Sequence, residues 1–487
     1  MKQHRLNFAM AIMVCSGLSQ VARAQEHGTS MSQVERLNRA PMNKEVLKVQ
    51  LPRPTETKLA NGLTLLLLEQ HKLPTASLAL WIKTGALADP RDMPGLAKFT
   101  ADMLHEGTAH RTSAQLAAEV DTIGASLNAN AAFGSSVSTV SASTLVENVD
   151  RLLDLMSDAV LNPSFPADEL EKYRQRQLAN LEQQRSQPQF LATEKFRQVL
   201  YRDFPASVVS ATPDSLKRAT PELLKKFHDE YYVPNNAVLG VVGDFKTDEM
   251  VSRIKKYFGD WKSGSVPLLK LGPLPPPAPS KIYLVNRHDS VQTNIVAGDY
   301  AVRRADPEYV PLQVANQVLG GGPQARLFLN LRENKGYTYG VYSSFSADIY
   351  PGPWAARTEV RTNVTDGSMH ELMSEFQRLR DEKVPDAELD DARRSIVARF
   401  ALELESPVSL INDWLTVNYY GLPQAYWDRY PEQIAEVSPD AVQATARKYV
   451  DRDHLQIVCV GDGKQIEDVL KKYGPVEVYD TDGKRLE

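Results

Sequence analysis

Gly95-Leu96-Ala97-Lys98-Phe99-Thr100-Ala101-Asp102-Met103-Leu104-His105-Glu106-Gly107-Thr108 is the stretch whose reading decides the fold. It reads as a helix over about 95–104 that stops at Gly107, a residue suited to the left-handed backbone that ends helices. Positions 98, 101 and 102 have the spacing of the inverted zinc motif H-x-x-E-H. In that motif two histidines four apart hold a metal on one helix face, and the glutamate moves protons. Here the three positions are Lys98, Ala101 and Asp102. A protonated lysine has no lone pair, alanine moves no proton, and one aspartate does not fix a metal that takes three protein ligands. The frame is that of a metal helix, and its contents exclude metal-assisted hydrolysis at these positions. The nearby His105-Glu106-Gly107-Thr108-Ala109-His110 is no substitute. Its histidines are five apart, about 140° around a helix, and Gly107 interrupts them.

Outward from this stretch the chain is written twice. Asp89-Pro90 returns as Asp306-Pro307, and Pro166-Ala167-Asp168-Glu169-Leu170 as Pro385-Asp386-Ala387-Glu388-Leu389. Gln187-Pro188 returns as Ser406-Pro407, and Thr220-Pro221-Glu222 as Ser438-Pro439-Asp440. Val242-Gly243-Asp244 returns as Val460-Gly461-Asp462, and Lys255-Lys256-Tyr257 as Lys471-Lys472-Tyr473. The six matches keep their order at nearly one offset. That offset is far longer than a solenoid period, so each copy is a domain. Between the copies, Gly272-Pro273-Leu274-Pro275-Pro276-Pro277-Ala278-Pro279-Ser280 is expected to be an extended, semi-rigid linker holding the halves apart.

Each copy mixes strands and helices. The apolar runs at 64–68, 76–82 and 236–242 read as strands, and 137–142 alternates with period two, as a half-buried strand does. Helices are expected near 146–159, 166–186 and 247–257. Segregated strands and helices favour an α+β class: two homologous α/β-sandwich domains arising by tandem duplication, with helices on one face of a largely antiparallel sheet. The expected boundaries are a signal at 1–24, an N-terminal extension at 25–55, a first domain at 56–263, a linker at 264–280, a second domain at 281–476 and a tail at 477–487.

The chain has 487 residues and a formal net charge of -5, without the basic excess of a nucleic-acid binder. Lys2, His4 and Arg5 precede an apolar run at 6–21, and Ala22-Arg23-Ala24 supplies a cleavage site before Gln25, as in a secretory signal. This predicts a soluble periplasmic protein whose mature part has no membrane span. Of two cysteines, Cys15 falls in the signal, and Cys459 sits in an apolar strand-like run as an inert core thiol. With one mature cysteine there is no internal disulfide.

Taken together, the Gly-Leu-Ala-x-Phe…Met-Leu…Gly-Thr frame, the duplicated α+β domain, the proline-rich linker and the segment Gly320-Gly321-Gly322…Arg326-Leu327-Phe328…Leu331-Arg332-Glu333-Asn334-Lys335-Gly336-Tyr337-Thr338-Tyr339 resemble the pitrilysin/insulinase-type zinc metallopeptidases, the inverted zincins. The resemblance covers nearly the whole mature chain. It implies that the two halves form one side of a clamshell whose other side is a second pair of halves. It implies that peptide lies in the chamber between them and adds as a strand to a sheet edge. The family's histidines fall on Lys98 and Asp102, its base on Ala101, and its third ligand, a glutamate on a later helix, on Asn180. All four are replaced, so no cofactor is expected in this chain.

The resemblance also implies a second constellation, an arginine and a tyrosine seven residues apart that bind substrate beside the metal, here Arg332 and Tyr339. Arg332 should end a helix begun near Pro323, where a cation suits the negative end of the dipole. Lys335-Gly336 should turn, and Tyr337, Tyr339 and Val341 should share one face of the following strand. Arg332 offers a planar fork of donors to a carbonyl, and Tyr339 an O–H to an oxygen gaining charge. Gly320, Gly321 and Gly322 read as a flexible loop at the chamber mouth, a hinge or a guide for substrate, and Tyr337 is expected to bind substrate with them. The reading that follows is a non-catalytic subunit of a heterodimeric zinc peptidase, with zinc in a homologous partner subunit and peptides as substrates. The alternative is a peptide-binding or scaffold protein with no peptidase role.

Overall fold

The computed structural model describes residues 45–486. The expected signal at 1–24, with Cys15, and residues 25–44 of the expected extension lie outside the described residues. Two six-stranded sheets carry the fold, one in each copy. The first contains β1 (Thr55–Lys58), β2 (Thr64–Glu69), β3 (Thr75–Ile82), β4 (Ser126–Asn130), β5 (Ser138–Leu145) and β6 (Ala237–Gly243), in the order β1-β2-β6-β3-β5-β4. The second contains β7 (Lys281–Asn286), β8 (Gln292–Tyr300), β9 (Thr338–Phe345), β10 (Pro353–Arg361), β11 (Gln456–Gly461) and β12 (Val476–Tyr479), in the order β12-β7-β11-β8-β10-β9. The five central and edge strands repeat in the same order. The sixth differs: β1 precedes its sheet and runs antiparallel to β2, whereas β12 closes the chain and runs parallel to β7. Pairing therefore extends past residue 476, into what the sequence suggests is a tail. At the other end, the Leu51 amide and the Arg53 side chain bond to Asp428, and Pro52 accepts from Trp414, so the last of the expected extension packs on the second copy.

The helices that position the site are α1 (Leu96–Asp102), α2 (Ala167–Arg185), α3 (Pro188–Tyr201), α4 (Pro221–Tyr231), α5 (Tyr309–Gly320), α6 (Thr365–Asp381) and α7 (Pro407–Tyr420). Among the described residues no helix is long and apolar enough to cross a membrane.

Burial explains why some strands alternate and others do not. β5 buries every second residue, from Ser138 to Thr144. β6 and β11 bury every residue because both of their faces are covered. One face of the first sheet (Leu65, Leu67, Leu239, Val241) packs on helices of its own copy. The other (Leu66, Leu68, Val238, Val242) joins a core with Leu410, Ile411, Trp414 and Leu415 of α7, which belongs to the second copy. Reciprocally, the outer face of the second sheet (Tyr283, Val285, Val296, Val458, Val460) packs on Leu191, Ala192, Phe196 and Leu200 of α3, from the first. The two helices occupy equivalent places in the repeat, so the copies exchange them. Close approach decides Gly240 in β6: a Cβ there would lie 2.6 Å from Ile411 Cγ1 and 3.0 Å from Leu415 Cδ1. The linker does not hold the halves apart. Leu269, Leu271 and Leu274 pack against the α3 core, and Pro275 accepts from the Tyr300 hydroxyl at 3.2 Å. Leucines among the prolines supply the apolar contacts that fix it. Cys459 is fully buried, and burial pushes its thiol up to about 12.

His228 on α4 provides a pH test of this packing. Its Nε2 lies 2.8 Å from the Val160 carbonyl, and its ring stacks on Tyr232 at 5.0 Å. Burial lowers its pKa below the ordinary 6.5, outweighing the Val160 carbonyl and Asp229, which favour the charged form. The unfolded chain therefore binds the proton first. The contribution of His228 is intact above pH 6.5 and is lost as pH falls from there through the folded value. Urea midpoints should drop on acidification below about pH 6.5, and His228→Leu should flatten that limb. An equally steep limb in the variant would assign the acid sensitivity to other groups.

Candidate functional site

Asp89 sets the start of α1. Its carboxylate accepts the Gly95 amide at 2.7 Å and the Ala97 amide at 2.8 Å, two donors the first helical turn leaves free. Burial pushes its pKa up to about 7, although those amides pull it down. On the helix thus fixed, Lys98 Nζ lies 2.9 Å from an Asp102 oxygen, an i,i+4 ion pair. The Tyr173 hydroxyl on α2 donates to Asp102 Oδ2 at 2.8 Å, and its ring meets Phe99 edge-on at 5.9 Å. Burial, then the Asp102 charge, holds this phenol far above its usual range. Ala101 is fully buried in the first core.

Asn180 is exposed, two turns beyond Tyr173 on α2. The sequence reading places a vacated ligand at Asn180. The α2 side chain that reaches Asp102 is Tyr173, which motif matching passes over because tyrosine is not among the motif's ligands. These residues do not fit a metal: the carboxylate is committed to an ammonium and a phenol. Among the described residues, no group of three or more His, Cys, Asp or Glu side chains converges as a metal ion requires. His110, from the histidine pair set aside above, bonds Asp158 at 2.6 Å in a structural network with Thr108 and Arg111.

Arg332 and Tyr339 come together. Phe328–Asn334 winds as a π-helix, and Arg332 in its last turn lies 4.7 Å from the Phe328 ring and 5.4 Å from the Tyr339 ring. Glu333 pairs with the guanidinium at 2.7 Å. Gly336, at φ +61°, makes the turn into β9. The strand face differs from the expected one. Thr358 pairs with Val341 but Val360 with Thr338, so Tyr339 and Gly340 together oppose Glu359 in a β-bulge. Thr338 Oγ1 donates to the Glu359 carbonyl at 2.7 Å and accepts the Gly340 amide at 3.1 Å, which pins the bulge. The extra residue breaks the alternation: Val341 is fully buried, whereas Tyr339 is 91% exposed beside Arg332. Tyr337 does not share that exposure. It is half-buried, and a Cβ on Gly367 of α6 would meet its hydroxyl at 2.9 Å.

Nor is Gly320 part of a loop. It is the buried last residue of α5, where a Cβ would stand 2.4 Å from the Ser343 amide of β9. Gly321 and Gly322 follow the helix end, half-buried. Both β4 and β9 are outer strands of their sheets, and among the described residues no further strand pairs with either.

Comparison with known proteins follows the same division. Residues 64–214 match the family described as insulinase (peptidase family M16), and residues 218–396 match the peptidase M16 inactive domain, together well over half of the chain. An uncharacterized zinc protease of Mycobacterium leprae is 25% identical over 410 residues, covering 81% of this chain and 89% of its own. One from Rickettsia felis is 27% identical over 385 residues, covering 78% and 90%. Among solved structures, the peptidase M16 inactive domain from Pseudomonas fluorescens superposes with a TM-score of 0.77 at 27% identity, over 84% of this chain and 97% of that one. A protease from Helicobacter pylori shares the fold with a TM-score of 0.78 at 19% identity, over 85% of this chain and all of that one.

Proposed function

We propose, from the premise that the chain belongs to the M16 (insulinase) peptidase family, that it is the non-catalytic, substrate-binding subunit of a two-chain zinc peptidase. It supplies half of a peptide chamber and the Arg332–Tyr339 pair to a homologous partner that holds the zinc. One observation carries this reading. Two of the metal positions, Lys98 and Asp102, are tied to each other and to Tyr173, while Arg332, at the end of its π-helix, stands beside the exposed Tyr339 on the bulged edge strand β9. A cluster so neutralised takes no part in hydrolysis. An arginine and a phenol held side by side still orient a peptide carbonyl and donate to its oxygen. Gly321, which lines a cavity with Ser343 and Ser344 of β9, and the following Gly322 border the path of the bound peptide. The subunit works in the periplasm, a placement that rests on the export signal read at 1–24.

Purified chain should bind far less than one zinc per molecule and cleave no peptide from a fluorogenic set. Adding a zinc-motif relative encoded beside it should restore cleavage and co-elute with it. Stoichiometric zinc on the lone chain, or a relative that cleaves equally well without it, would sink this reading. A chain that binds peptides yet neither pairs nor assists would instead be a peptide-binding scaffold.

A further inference from the structure

A cavity of about 480 Å³ lies where the two copies meet, lined by α1, α3 and the end of β4 on one side and by β9 and β10 on the other. Three cations converge on it, Lys98, Arg197 and Arg357, with Asn130 and Thr193 beside them, and its lining contains no aspartate or glutamate. Lys98 is neutralised by Asp102. Among the described residues no carboxylate pairs with either arginine. Arg357 lies on the same face of β10 as Ala355, the face that packs on α3, and among the described residues no carboxylate bonds to it. Arg197, on α3, rests over the Tyr201 ring at 5.0 Å and shares a hydrogen bond with Tyr350. The nearest acid along β10 is Glu359, which accepts from Gln189 at 2.6 Å. Burial first, and then the like charge of Arg197, pulls the Arg357 guanidinium below its usual range. An unpaired, desolvated cation facing a second one costs stability, so such a pair is retained where an anion completes it.

We propose that this cavity binds a carboxylate of the peptide held in the chamber, gripped between Arg357 and Arg197. The inference rests on the peptide-chamber reading and names what that chamber selects. Arg357 presents a planar fork that matches a carboxylate through two parallel hydrogen bonds. Asn130, the last residue of the outer strand β4, lines the same cavity. A peptide added along β4 therefore runs toward the two arginines. Both the terminal carboxylate of a short peptide and an acidic side chain offer this chemistry.

Fluorescence anisotropy on the full chain at low salt tests it with three labelled octapeptides of neutral sequence: one with a free carboxyl end, its C-terminal amide, and the amide carrying one internal glutamate. Carboxylate recognition should make one or both acidic peptides bind at least about tenfold more tightly than the neutral amide. Tighter binding by the first identifies the chain end as the source, and by the third an acidic side chain. Arg357→Gln should erase the difference and Arg357→Lys should keep part of it. Relief of the buried charge should also raise the melting temperature of Arg357→Gln. If that variant fails to fold, Arg197→Gln gives the same comparison. Equal binding of all three peptides overturns the carboxylate site and leaves the chamber standing. Binding of none overturns both.

Discussion

On the proposed two-chain reading, Tyr339→Phe should lower kcat/KM of the assembled pair by about 100- to 1,000-fold, the loss typical of removing one donor aimed at a developing oxyanion. The substitution keeps the ring, which lies 5.4 Å from the Arg332 guanidinium, and deletes only the hydroxyl. Because Tyr339 is 91% exposed, no core is disturbed, so melting and partner binding should stay as they are. Arg332→Ala should cause a comparable loss, and Arg332→Lys should rescue little of it, since an ammonium is a point charge without the planar fork. The double variant should fall well short of the product of the two losses, as expected of side chains that, as proposed, act on one substrate group as a unit. Turnover unchanged in Tyr339→Phe and Arg332→Ala, with the assembly intact by gel filtration, would remove both residues from the reaction.

Phe196→Ala should cost about 3–5 kcal/mol, the range for emptying a large aromatic site in a core. Phe196 is fully buried where α3 of the first copy lies across the second sheet, among Val296, Val458 and Val460. The variant leaves every contact within each sheet in place, so the loss measures the exchange of helices itself. Gly240→Val strikes the reciprocal contact, where even a Cβ would lie 2.6 Å from Ile411. Both variants should lower the urea midpoint of the whole chain in one transition. A loss under about 1 kcal/mol for Phe196→Ala, the scale of a surface change, would show that the crossed helices do not form a shared core.

Much of this architecture was legible residue by residue. The runs that became β2, β3, β5 and β6 stood out because their period reports which faces are covered, and the six repeated fragments fixed the duplication. The Arg332–Tyr339 pair was picked out only through the family resemblance, since an arginine and a tyrosine seven residues apart carry no signal of their own; Gly336 marked just the turn between them. Other features leave no mark in residue type. The bulge at Tyr339–Gly340 is a matter of register with β10, and one extra residue on a strand looks like any other. α3 and α7 show apolar faces, but a face does not state whose sheet it will cover, and the linker leucines do not announce the core they join. Tyr173 sits two helical turns from Asn180, and only three-dimensional placement reveals which of them faces Asp102. The cavity cations are spread from Lys98 to Arg357, so neither their convergence nor the missing counter-charge is visible along the chain.

The traded helices also bear on synthesis. When the first copy has left the ribosome, Leu191, Phe196 and Leu200 have no surface to rest on, because β7 to β12 are not yet translated, and the back of its own sheet waits for Ile411 and Leu415. Neither copy should therefore be a self-sufficient folding unit, and the nascent protein should carry sticky, unfinished surface until nearly its last strand emerges. Expressed fragments cut at the linker should aggregate singly and recover only when both are supplied together.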